Sequence, residues 1–132
     1  MRNLKRYSIL IIAILFYSVS TYSQNEKEST LKGKKIIYVF GGWEGHFPKQ
    51  SVDVIVPKLR AAGADVKVFD NLDVYTDKNV MDNTDLIIQI WTMGEITKKQ
   101  FEGLQSAIMS GTGFSGWHGG LGDAFRDNLK YQ

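Results

Sequence analysis

Apolar positions along this chain fall into two kinds of run. "KKIIYVFGG" (34–42) is short, continuous and ends in glycine, which suits a strand buried on both faces. "ADVKVF" (64–69) and "TDLIIQIW" (84–91) read as a second and third strand, and "TGFSGW" (112–117) as a fourth. Between them the apolar spacing is helical. In residues 48–62, Pro48 suits a first turn, Val52, Ile55, Val56 and Leu59 share a face, and Gly63 ends the run. Pro57 lies inside that helix and is expected to kink it. In residues 97–111, Thr97 and Gln100 have capping-box spacing, Phe101, Leu104 and Ile108 line one face, and Gly111 closes the end. "LGDAFRDNLK" (121–130) is predicted to begin a third helix. Strands alternating with helices predict an α/β fold built on a parallel sheet.

The N-terminus changes the charge picture. Arg2, Lys5 and Arg6 precede an apolar run at 7–19, followed by small and polar residues. This is the layout of a secretory signal peptide, with cleavage expected after Ser23. The run is too short to cross a bilayer core comfortably, which takes about 20 residues, so no stable membrane span is expected after cleavage. Removing three basic residues turns 16 basic against 14 acidic into a small acidic excess. That balance offers no nucleic-acid surface. The chain has no cysteine, so the exported domain must stand on its core without disulfides. The expected organisation is a signal peptide at 1–23, a polar lead-in at 24–33 and one domain at 34–132. The expected location is periplasmic or extracellular.

In an open parallel sheet, ligands bind beyond the carboxyl ends of the strands. Three loops are predicted there: "GGWEGHFP", "WTMGEIT" and "GWHGG". Between them they hold all three tryptophans, Trp43, Trp91 and Trp117, and both histidines, His46 and His118. A lone tryptophan at a strand end is usually packing, but five such residues at one edge point to a ligand site. Indole walls with a few polar groups suit sugar rings. The first loop lacks both the Lys-Ser/Thr of a P-loop and the GxGxxG of a dinucleotide site. Strand, then Gly116-Trp117-His118-Gly119-Gly120, then helix has the order of a nucleophile elbow, in which His118 would sit in a strained turn before a helix N-terminus. Histidine there can serve as acid, base or ligand.

The stretches "GGWEGHFP", "WTMGEIT" and "GTGFSGWHGGLGDAFRDNLKYQ" resemble the ThuA-like family, associated with trehalose and related sugar utilisation. The resemblance covers residues 34–132. It implies a flavodoxin-like, class I glutamine amidotransferase-like parallel sheet with flanking helices. It also implies that His118 stands where those amidotransferases have cysteine, so glutamine hydrolysis is not expected. Carried over by position, the family pattern marks His46, Trp91, Trp117, His118, Gly119, Gly120, Asp123 and Arg126. Domains of that family run to roughly twice this span, so the sheet is expected to be truncated on one side.

Two classes of function remain open on this reading. In one, His118 is the acid/base of a sugar- or glycoside-processing enzyme, His46 assists and Asp123 orients His118. Trp43, Glu44, Trp91, Trp117, Gly119, Gly120 and Arg126 then contact the substrate. In the other, the same residues form a non-catalytic carbohydrate-binding or scaffold module, or the chain is an inactive gene fragment. No cofactor is expected. Zinc held by His46 and His118, with Glu44 or Asp123 as third ligand, is a weaker expectation, because no HExxH-like spacing is present. An uncovered fourth strand would invite pairing with a second copy of the chain.

Overall fold

Residues Ile36 and Tyr38 point to one side of the first strand and Ile37 and Val39 to the other, and all four are buried. That double burial makes β1 (Lys35–Gly42) a central strand of the sheet. The computed structural model describes residues 31–132, so the expected signal peptide and most of the lead-in lie outside the described residues. β1 is followed by a 3-10 turn at Glu44–His46, α1 (Pro48–Ala61), β2 (Asp65–Phe69), a second 3-10 turn at Asp73–Thr76 and α2 (Lys78–Asp82). Then come β3 (Leu86–Thr92), α3 (Lys98–Met109), β4 (Gly113–Ser115) and a single π turn at His118–Gly122. The strands lie in the order β2-β1-β3-β4 and every pairing is parallel. This is an α/β, flavodoxin-like arrangement, in which the chain winds outward from β1 in both directions.

Each face of the sheet has its own core. α1 covers Ile36, Tyr38, Val66, Ile88 and Ile90 with Val52, Ile55, Val56 and Leu59. α2, α3 and the second 3-10 turn cover Ile37, Val39 and Ile87 with Val74, Tyr75, Met81 and Leu104. α1 starts at Pro48, whose missing N–H is no loss in a first turn. It continues through Pro57, which is exposed, and ends before Gly63. α3 carries the predicted capping box: Thr97 Oγ1 accepts from the Gln100 N–H at 3.3 Å, and Gln100 Oε1 accepts from the Thr97 N–H at 3.0 Å. The stretch 70–83 had no predicted element. There Asp77 accepts from the N–H groups of Asn79 and Val80 and caps the one-turn α2.

Two expectations need correction. β4 does not run over 112–117; it pairs only at Gly113–Ser115, against Leu86–Ile88. The predicted third helix over 121–130 does not form. After the π turn, Ala124 forms a parallel bridge with Met93, so the backbone is extended where the pattern called for helix. Met93 donates its N–H to the Asp123 carbonyl at 2.8 Å and accepts from the Phe125 N–H at 3.2 Å. Phe125 takes a left-handed backbone (φ 49°), and both Ala124 and Phe125 are completely buried. Burial of a phenylalanine side chain is worth about 1.5–3 kcal/mol, which outweighs the weak helical preference of a ten-residue polar stretch.

A buried polar chain ties the C-terminal segment to the sheet. Tyr75 donates its hydroxyl to Gln89 Oε1 at 2.8 Å, Gln89 Nε2 donates to the Tyr131 hydroxyl at 2.7 Å, and Tyr131 donates to the Leu121 carbonyl at 3.0 Å. Gln89 has no exposed surface. Burial raises the Tyr75 phenol well above its ordinary range, and neighbouring Tyr131 adds to this. Burial also pushes Tyr131 up to about 12.

These phenols make stability depend on alkaline pH. An unfolded tyrosine releases its proton near pH ~10, whereas folded Tyr131 holds it to about 12. The folded state therefore binds more protons in that window, and stability falls as pH rises through it. Urea unfolding followed from about pH 9 to about pH 12 should show this decline. Tyr131→Phe should cost about 1–3 kcal/mol at neutral pH by leaving Gln89 and the Leu121 carbonyl short of a partner, and should flatten the alkaline decline. An unchanged alkaline slope in the variant would assign the decline to other groups.

Candidate functional site

The carboxyl ends of β1 and β3 are neighbours, with Gly41 opposite Trp91 and Gly42 opposite Thr92. At Gly42 the backbone is left-handed (φ 79°), and a Cβ there would collide with the Thr92 carbonyl. The glycine lets β1 leave the sheet at this point and start the loop that carries Trp43, Glu44 and His46. The Trp43 N–H donates to the Thr92 carbonyl at 3.0 Å, which fixes the loop's origin. The Trp43 indole meets the His46 ring edge-on, with centroids 4.8 Å apart.

His46 is the residue that joins two loops. Its Nδ1 lies 3.1 Å from Thr92 Oγ1 and 3.1 Å from the carbonyl oxygen of Gly119. Thr92 is fully buried, and its hydroxyl donates to the same Gly119 carbonyl. The loop after β1, the end of β3 and the loop after β4 thus converge on one carbonyl.

The glycines around Trp117 and His118 have a different purpose from the one the elbow pattern implied. Among the described residues, the non-glycine positions with positive φ are Phe47, Met93 and Phe125, so His118 is not in a strained elbow. Nor does a helix of ordinary length stand behind it, only the π turn His118–Gly122. The glycines serve close approach. A Cβ on Gly116 would come within 2.5 Å of the Gln89 carbonyl, one on Gly119 within 2.7 Å of His46 Nδ1, and one on Gly120 within 2.6 Å of the Ile90 Cα. The loop is laid directly onto β3 and His46.

The remaining predicted residues separate into two groups. Trp43, Glu44, His46, Trp117 and His118 are exposed at the edge, with Trp43 at 51% and Trp117 at 46%. Gly119 is partly buried against His46 and Gly120 is buried against Ile90. Trp91 instead packs over Gly41 and Gly94, half-buried, and its indole N–H is sealed from solvent without a partner among the described residues. Asp123 is buried and receives two bonds from Arg126, Nε to Oδ1 at 2.7 Å and Nη2 to Oδ2 at 2.9 Å. The two form an i, i+3 ion pair, on a turn and not on the predicted helix. His118 makes no side-chain hydrogen bond to the described residues, Asp123 included. Among the described residues no three His, Asp or Glu side chains gather as a metal-binding group.

Two residues at the edge were not among those picked from the sequence. Thr92 is one; it lies inside the quoted "WTMGEIT" loop, but its role depends on the neighbouring loop. Phe47 is the other. It is 62% exposed and held at φ 52°, ψ 50° as the N-cap of α1, next to His46. A bulky residue in the left-handed region with its ring in solvent gains little from packing. The edge is an open aromatic shelf. A groove of about 670 Å³ lies elsewhere, between α2 and α3, lined by Lys78, Lys99 and Glu102 among others.

The fold is that of an open parallel α/β protein with aromatic and histidine side chains exposed at the carboxyl edge of its sheet. The sequence profile of the ThuA family, described as trehalose utilisation, matches residues 35–132, and the chain belongs to that family. Neither a curated protein nor a solved structure matches it.

Relieving the backbone at Phe47 tests the cost of the shelf. Phe47→Asn should raise unfolding free energy by about 0.5–1 kcal/mol, because asparagine tolerates the left-handed region better than a bulky aromatic residue does. Denaturant titration would measure it, and a net loss would show that the buried part of the ring outweighs the strain.

Proposed function

We propose that this chain is an exported sugar-binding protein of the ThuA family whose shelf holds trehalose or a related glycoside. The observation that carries the reading is the pair of half-exposed indoles, Trp43 and Trp117, on two loops that His46 and Gly119 tie together. Indole faces stack on the C–H faces of a pyranose ring, and Phe47 extends the apolar surface beside them. Glu44, His46 and His118 supply hydrogen bonds to hydroxyls. Arg126 keeps an exposed side chain while paired to Asp123, so it can reach a ligand oxygen at the rim. Gly119 and Gly120 contribute by letting the loop that carries Trp117 and His118 lie against His46 and β3.

In the catalytic form of this proposal His118 is the acid/base and His46 assists. The non-catalytic form is favoured by one observation: the carboxylate that would orient His118, that of Asp123, has both oxygens bonded to Arg126. Export rests on residues 1–23 and is tested by N-terminal sequencing of the secreted protein, which should begin at Gln24. No helix among the described residues is long and apolar enough to cross a membrane. The outer edge of β4 is proposed as a contact between copies, to be read from the mass in solution.

Isothermal titration with trehalose should give a dissociation constant on the order of 0.1–1 mM, typical of an open site with few anchors. Trp117→Ala should weaken it about tenfold, the loss of roughly 1.4 kcal/mol of stacking. Trp91→Phe, a packing change away from the open shelf, should leave affinity within about twofold. No detectable heat with trehalose or other glycosides would sink the sugar reading. Release of glucose from bound trehalose, lost in His118→Gln, would establish the catalytic form.

A further inference from the structure

We infer that Thr92 is a positioning residue that holds His46 in its Nδ1–H tautomer. The Thr92 hydroxyl has one hydrogen to give. Its contact with the Gly119 carbonyl consumes that hydrogen, because a carbonyl oxygen can only accept. The Thr92 oxygen, 3.1 Å from His46 Nδ1, is then left facing that nitrogen with a lone pair. The Gly119 carbonyl oxygen, also 3.1 Å away, is a second acceptor. Two acceptors around one ring nitrogen require the proton to sit on it, so Nδ1 donates and Nε2 is bare.

A free histidine side chain prefers the opposite form, with the proton on Nε2. The protein therefore holds His46 in the less common tautomer, and the holding groups are the Gly119 carbonyl and the hydroxyl of a fully buried threonine that is itself bonded to that carbonyl. Nε2 makes no hydrogen bond to the described residues, and the ring is exposed at the shelf. Resting on the sugar reading of the shelf, this arrangement makes His46 Nε2 an acceptor for a ligand hydroxyl. Nδ1 is the end anchored to the protein, as in sites where the second nitrogen of a histidine is fixed by an oxygen behind it. Thr92 acts by pinning the Gly119 carbonyl in place; its own atoms need not touch the ligand.

The test is nitrogen NMR of the labelled full chain, without ligand, at pH about 8, above the ordinary imidazole range. Two-bond proton–nitrogen couplings show which ring nitrogen is protonated. The chain has two histidines, so His118→Gln identifies the His46 signals. Wild type should show His46 as Nδ1–H. Thr92→Val should lose that form in favour of Nε2–H, and Thr92→Ser, which restores a hydroxyl, should recover it. A merely structural role for Thr92 would leave the tautomer alone. The inference is overturned if wild-type His46 carries its proton on Nε2, a result that needs no variant to fold. It is also overturned if folded Thr92→Val keeps the wild-type tautomer. Because the measurement is made without sugar, failure to bind trehalose would count against the sugar reading and leave this one standing.

Discussion

The end of β3 is where the rest of the structure is attached. Thr92 and Met93 use their backbone groups and one hydroxyl to hold three other segments. The Thr92 carbonyl receives Trp43, the Thr92 hydroxyl reaches Gly119, and Met93 exchanges bonds with Asp123 and Phe125. The contacts of Thr92 depend on a backbone approaching with little or no side chain in between. Gly42 supplies this on one side, Gly119 and Gly120 on the other. A methyl group at Gly42 or Gly120 would collide with β3, and one at Gly119 with the His46 ring. The shelf is therefore built as much by absent side chains as by the aromatic ones it displays.

Three left-handed non-glycine residues accompany this attachment, and they are compensated differently. Each such position costs on the order of 1–2 kcal/mol. Phe125 offsets its share by complete burial, with Tyr131 edge-on at 5.0 Å between centroids. Met93 offsets it with two backbone bonds to the returning chain. Phe47 also keeps two backbone bonds, its N–H donating to the Glu44 carbonyl at 2.9 Å and its carbonyl accepting from the Ser51 N–H at 3.2 Å, but its ring is mostly in solvent. Its left-handed backbone is thus met by hydrogen bonds and not by burial of the ring.

The polar interior follows the same economy. Gln89 lies in the middle of a central strand, where an apolar residue would be ordinary. It is kept because Tyr75 and Tyr131 satisfy its amide from both sides, and because Tyr131 passes the chain on to Leu121 at the base of the π turn. A fully bonded network of this kind specifies one arrangement of the C-terminal segment, while a half-bonded one would be worse than hydrocarbon. The site loop and the core thus share a support.

The strands β1 to β3, the helices α1 and α3, the capping box at Thr97 and the gathering of tryptophans and histidines at one sheet edge were all legible in the sequence. Each depends on local spacing: period two or continuous burial for strands, period 3.6 for helices, fixed offsets for caps. What sequence could not decide were the places where one segment's backbone is taken by another. The 121–130 stretch has helical residues, but Met93 takes its amide and carbonyl groups and the core takes Phe125. Trp91 and Trp43 look alike in their loops, yet one is packed over glycines and the other displayed. Asp123 looked like a partner for His118 and is bonded to Arg126 instead. The tautomer of His46 depends on a hydroxyl and a carbonyl far from it in the chain. Spacing determines which residues reach the sheet edge. Only the tertiary structure determines what each one faces there, because that depends on which distant donor or acceptor is left without another partner.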